Sequence, residues 1–188
     1  MKPRIAAIVA VDEENGIGKD GRMAWHIPED FKHFREYTKN SLCIMGRTTF
    51  NDICLHKKSK DGPFLSGRTC IVLTRRPDEL INNCNFTGVH FMSDGVLLKD
   101  IIRLTSTSTY TPLHQFDKVC VIGGKSVYDL FFDILDEIVV TRVKGSYDCD
   151  VHINMTPYTE KASVVTGWGL DGTPHMVELY ILNRDQGE

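Results

Sequence analysis

Long apolar runs are scarce in this chain of 188 residues. The one near its start, Ile5–Val11, is far shorter than the ~20 residues a membrane-spanning helix needs. No apolar segment follows a basic start, so we read no signal peptide, and the Asn-x-Thr sequons at Asn85 and Asn154 carry little weight. Paired cysteines are missing too. The six stand at positions 43, 54, 70, 84, 120 and 149, none forms Cys-x-x-Cys, and no zinc spacing links them to the seven histidines. That excludes a disulfide scaffold and predicts no metal site. It fits reduced thiols in the cytoplasm, with Cys43, Cys70 and Cys120 packed as small hydrophobes inside apolar runs. An excess of one charge is also absent: 22 Lys+Arg against 25 Asp+Glu leaves a net charge of −3, which disfavours nucleic acid as a partner. With 41% hydrophobic residues the chain is not disordered, and its length suits one domain over 1–188. Repeats and low-complexity segments are lacking.

What is present is an alternation. Ile5–Val11 reads as a strand buried on both faces, followed by a polar, glycine-rich stretch from Asp12 to Ile27. Pro28, Glu29 and Asp30 then open a helix: proline suits the first helical position and acids suit the first turn. Leu42–Met45 is a strand, and a short helix starts at Gly46-Arg47-Thr48-Thr49-Phe50. Leu55–Pro63 is a lysine-rich, exposed loop. Strands follow at Thr69–Thr74, Val89–Met92, Lys118–Ile122 and Ile138–Val143, with helices at Gly95–Leu104 and Ser126–Phe132 and a turn-rich linker at Ser106–Pro112. After residue 143 only strands are expected, Ala162–Thr166 and Met176–Leu182 forming an antiparallel pair. The alternation predicts a three-layer α/β domain, mostly parallel, with antiparallel strands appended.

Glycine motifs suggest ligands. Gly16-Ile17-Gly18-Lys19-Asp20-Gly21 matches G-x-G-x-x-G, but polar residues separate it from the strand and no helix follows directly, so it reads as a lid-like loop. Gly124-Lys125-Ser126 resembles the end of a P-loop, yet Val119 stands where its first glycine belongs. What survives is a buried strand breaking at Gly123-Gly124 before a helix, a place where phosphate meets backbone N–H groups, or a plain turn. Arg47, Arg68, Arg75 and Arg76 flank strand ends, where a guanidinium fork suits carboxylate or phosphate.

Taken in order, Ile5-Ala6-Ala7, Ile17-Gly18, Met23 to Phe31 (MAWHIPEDF), Ile44 to Phe50 (IMGRTTF), Leu65-Ser66-Gly67-Arg68 and Val121 to Tyr128 (VIGGKSVY) resemble the dihydrofolate reductase family. The resemblance implies reduction of 7,8-dihydrofolate by NADPH in a monomer that also binds antifolates such as methotrexate, without membrane attachment. Asp30 would be the ionisable group holding the pterin, and Trp25 the tryptophan that orders a water beside it. Ile5, Ala6, Phe31, Phe34, Ile53, Leu65, Ile122, Tyr128 and Thr141 would line the substrate, with Arg68 on its glutamate carboxylate. Ala7, Ile17, Gly18 and Met23 would meet the nicotinamide. Gly46, Thr48, Thr49, Ile122, a cis-linked Gly123-Gly124, Lys125, Ser126, Val127 and Tyr128 would hold the pyrophosphate region. Arg47, Thr74 and Arg75 would take the adenosine 2′-phosphate, and Leu73 would also contact the cofactor. Ala24 and Ser66 depart from prolines common in the family, which leaves their loops less stiff, and Asn154 stands where another proline is usual. Asp150 would support the lid. A riboflavin-pathway pyrimidine reductase of the same fold and a non-catalytic folate- or nucleotide-binding scaffold remain alternatives; a phosphotransferase lacks the P-loop spacing.

Overall fold

The computed structural model describes residues 3–106 and 112–182. In chain order its strands and helices are β1 (Arg4–Val11), β2 (Gly16–Gly18), α1 (Pro28–Tyr37), β3 (Ser41–Gly46), α2 (Arg47–His56), β4 (Asp61–Pro63), β5 (Thr69–Leu73), α3 (Pro77–Ile81), β6 (Asn85–Thr87), β7 (Val89–Met92), α4 (Gly95–Ser106), β8 (Lys118–Val121), α5 (Lys125–Phe131), β9 (Glu137–Arg142), β10 (Val151–His152), α6 (Thr156–Glu160), β11 (Ala162–Gly169) and β12 (Met176–Leu182). Residues 107–111 of the expected linker lie outside the described residues.

The main sheet has eight strands in the order β11-β12-β9-β1-β8-β3-β5-β7. All pairs from β9 to β7 are parallel, and β12 and β11 add antiparallel. The mixed, mostly parallel sheet is therefore as expected. Alternate residues of each strand feed opposite faces. One core joins Ile5, Ala7, Val9, Leu42, Ile44, Val119 and Val121 to α4 and α5 through Leu98, Ile102 and Phe131. The other joins Ile8, Cys43, Met45, Cys70 and Cys120 to α2 through Phe50, with Phe34 and Tyr37 of α1 against it. Cys43 pairs in register with Cys70 on one side and Cys120 on the other, and all three are fully buried free thiols, as their apolar setting predicts.

The fold differs from expectation where tertiary pairing makes structure without a local pattern. Gly16–Gly18, read as loop, pairs with Val151–His152 as a small antiparallel ribbon. The lysine-rich loop ends in β4, parallel to β6, and Lys57 donates to the Phe64 carbonyl oxygen at 2.5 Å while sitting 5.2 Å from the Phe86 ring centroid. The stretch beyond residue 143 is not strand alone: α6 starts there, with proline in its first turn. The short α3, β4 and β6 fill the span after α2, where periodicity over so few residues is unreadable.

Candidate active site

Parallel strands present their carboxyl ends along one edge, where ligands bind in open α/β sheets. There a cavity of about 770 Å³ opens, bounded by the ends of β1, β3, β5 and β8, the segment after Gly16, and the first turns of α2 and α5. Its walls include every residue expected to hold the cofactor except Ala7, namely Ile17, Gly18, Met23, Gly46, Arg47, Thr48, Thr49, Leu73, Thr74, Arg75, Ile122 and the run Gly123–Tyr128. Ala7, like Ile5 and Ala6, has no exposed surface.

The cavity floor is bare because of its glycines. Gly123 and Gly124 are joined by a cis peptide bond, and Gly123 has φ +118, a conformation glycine accepts readily. A β-carbon there would come within 3.3 Å of Thr49 Oγ1 and of the Tyr128 hydroxyl oxygen. The Gly46 N–H donates to the Gly123 carbonyl oxygen at 2.7 Å, and Tyr128 donates to the Ile8 carbonyl oxygen at 2.8 Å. Gly46 and Gly124 cap α2 and α5, so the first turns of both helices bring N–H groups to this floor. Arg22, Arg47, Arg75 and Lys125 line the walls against Asp52 as the one acid there. An extended, phosphate-bearing dinucleotide fits a groove with this floor and these cations. Net charge alone, at −3, gives no hint of it.

A second set of residues runs along α1. Asp30, Phe34 and Thr38 are spaced by four, so they share one face of the helix and its C-cap. Asp30 is buried and accepts a hydrogen bond from Thr141 Oγ1 at 2.5 Å. Thr141 in turn pairs with Ala10, which lines the cavity. Burial pushes the Asp30 carboxyl above the usual range; the Thr141 hydroxyl, then His33 and His175, work against that rise without cancelling it. At the other end, Arg68 Nη1 donates to Thr38 Oγ1 at 3.0 Å, Nε donates to the Ser66 carbonyl oxygen at 3.2 Å, and the guanidinium lies 5.9 Å from the Phe34 ring centroid. Eight helical steps of about 1.5 Å set positions 30 and 38 roughly 12 Å apart along the helix axis, with Asp30 at one and the Arg68 partner Thr38 at the other. Phe31, Ile53 and Leu65 are half-buried, and Ile53 and Leu65 pack against the same core as Phe34. Trp25 is buried edge-on to Tyr147 at 5.2 Å, and its indole Nε1 has no acceptor among the described residues.

The lid-like segment is fastened by aspartates. Asp12 accepts the N–H groups of Gly16 at 2.7 Å, Glu14 at 2.9 Å and Tyr147 at 3.1 Å. Burial works to raise its carboxyl, but those N–H donors outweigh it and hold the group below the usual range. Asp150 accepts from the Asp20 N–H at 2.9 Å, in keeping with a loop-supporting part. Asp52 accepts from the Met23 N–H at 3.2 Å. Asp12, Thr38, Asp52 and Glu79, which meets Arg47, escaped the sequence reading. For Thr38 a signal existed, its spacing of eight from Asp30; the others meet partners that spacing alone does not mark.

Three comparisons agree with this geometry. The family model for dihydrofolate reductase matches residues 4–164. The chain is 30% identical over 149 residues to dihydrofolate reductase type 9 of Escherichia coli, covering 79% of this chain and 75% of that one. It is 32% identical over 143 residues to dihydrofolate reductase of Haemophilus influenzae, covering 76% and 74%. Among solved structures, dihydrofolate reductase from Enterococcus faecalis, complexed with NADP(H) and RAB-propyl, superposes with a TM-score of 0.69 at 26% identity over 97% of this chain and 98% of that one. Fold, groove and sequence converge: the chain belongs to the dihydrofolate reductase family.

Proposed function

We propose that this protein reduces 7,8-dihydrofolate to 5,6,7,8-tetrahydrofolate with NADPH, and that the two sets of residues described above divide the work. The observation that carries this reading is Asp30, a buried acid whose bonding partner Thr141 stands beside a wall of the cofactor cavity. NADPH, when bound, supplies the hydride that pterin C6 accepts. As C6 takes a hydride, the adjacent N5 must gain a proton, so an acid that holds the ring and has a raised affinity for its own proton favours the reaction. Asp30 is suited to that task by its desolvation.

Phe31 and Phe34 offer aromatic faces to the pterin and its linked ring, with Ile53 and Leu65 as apolar neighbours. Arg68, aimed by Thr38 and Ser66, offers its fork to the glutamate α-carboxylate. Glycines 46, 123 and 124 admit the pyrophosphate to the backbone, and Arg47, Thr74 and Arg75 receive the 2′-phosphate. The segment from Gly16 to Met23 covers the nicotinamide end and keeps water out. The working unit is one domain over 1–188, monomeric and cytoplasmic, and antifolates such as methotrexate compete at the Asp30 end. Among the described residues no helix is long and apolar enough to cross a membrane.

The test is dihydrofolate-dependent loss of NADPH absorbance, with and without methotrexate. Turnover that methotrexate abolishes is the expected result, and folded protein that consumes no NADPH overturns the proposal. The cofactor half is checked by removing the charges of Arg47 and Arg75 together. The preference for NADPH over NADH then narrows; an unchanged efficiency ratio refutes the placement.

A further inference from the structure

Arg47 is not free at the adenosine end of the groove. On α3, Glu79 accepts from Arg47 Nη1 through Oε2 at 3.2 Å and from Arg76 Nη1 through Oε1 at 2.9 Å. Its hydrogen bond with Arg76, and then the one with Arg47, hold the carboxyl below its usual range, so it is an anion at neutral pH. Arg75, also in the groove wall and also expected at the 2′-phosphate, has no carboxylate within ion-pair distance among the described residues.

The two arginines therefore differ in what a phosphate would find. A phosphate is a dianion with only acceptor oxygens, so it competes with Glu79 for Arg47 and is repelled by the carboxylate beside it. A ribose 2′-hydroxyl carries no charge and can donate, and an acidic side chain is the partner that dinucleotide folds use for it. We propose that Glu79 is a cofactor-selectivity residue, which weakens the hold of Arg47 on a 2′-phosphate and leaves NADH a usable second hydride donor. The inference rests on the reading that Arg47 faces the 2′-position.

Binding of two fragments separates the possibilities without turnover. Calorimetry would compare adenosine 2′,5′-bisphosphate with adenosine 5′-monophosphate on the full chain, for the unmodified protein, Glu79→Gln, Arg47→Ala and the double variant. Glu79→Gln should bind the bisphosphate three- to tenfold more tightly, a size suited to exposed charges, and leave the monophosphate unimproved. The gain should shrink in high salt and vanish in the double variant. The NADPH-to-NADH efficiency ratio should rise by the same factor, through KM. An unchanged or weaker bisphosphate affinity in Glu79→Gln, with Arg47→Ala still losing affinity, overturns this inference and leaves the groove assignment standing. If Arg47→Ala loses nothing, the groove assignment itself fails and takes the inference with it.

Discussion

Two buried aspartates, Asp12 and Asp30, stand at 1% and 7% exposure and have been moved in opposite directions. Asp12 sits in a knot of backbone N–H donors from Glu14, Gly16 and Tyr147. Asp30 accepts one hydroxyl, from Thr141, with His33 and His175 near enough to act on its charge. Both lost water; only Asp12 received enough donors to replace it. The difference separates a carboxylate that serves the loop from the one to which the proposed function assigns chemistry. A carboxyl raised above its usual range is an under-solvated one, and that costs stability once it ionises.

The largest effect should come from Asp30→Asn. A positioned acid or base contributes about 10²–10⁴ in rate, so kcat at neutral pH should fall at least a hundredfold in a protein that unfolds cooperatively. Its Tm at pH 7 should rise, because a group whose folded pKa lies above its unfolded value near 3.9 destabilises the fold once pH exceeds that value. Near-normal turnover, or a lower Tm, would break the comparison. Asp12→Ala should do the reverse to stability. It strips three N–H groups of their acceptor and should cost about 2–4 kcal/mol in urea unfolding at pH 7, given ~1–3 kcal/mol for a buried donor left unmet. Because the folded pKa of Asp12 is depressed, its contribution is present above pH ~4 and fades as pH falls through the folded value. The difference between the unmodified protein and Asp12→Ala should therefore shrink in acid; a constant gap would refute the N–H knot as its source.

A smaller change sharpens the Asp30 side. Thr141→Val removes the one hydroxyl that lowers the Asp30 pKa and fills the same volume. The alkaline limb of the pH–rate profile should then move upward, since activity that needs the Asp30 proton survives to higher pH. A limb that stays put or moves down would show that another group sets it.

Much of this was legible in the residues. The strands of the main sheet carry continuous apolar runs, and α1 announces itself through Pro28, Glu29 and Asp30. The groove residues lie in contiguous motifs at strand ends, and it was the resemblance of those motifs to the dihydrofolate reductase family that named them. Elements such as β4, β6 and α6 could not, because they are three to five residues long and are made by pairing or by a single proline turn. Nor could the Asp12 knot, since Tyr147 reaches it across most of the chain. Local pattern reads strands and first turns; it does not read which distant N–H a carboxylate will meet.

The shared face of α1 has one more consequence. With Asp30 near one end and Arg68 pinned to Thr38 at the other, the helix acts as a gauge with fixed jaws. On the proposed reading, a ring system whose carboxylate does not match the span between Asp30 and Arg68 can engage one jaw but not both. Under that reading, discrimination among folate-like compounds is a matter of length. It should vary with any change that shifts the Thr38 end of the helix, even where every group that touches the ring is left as it was.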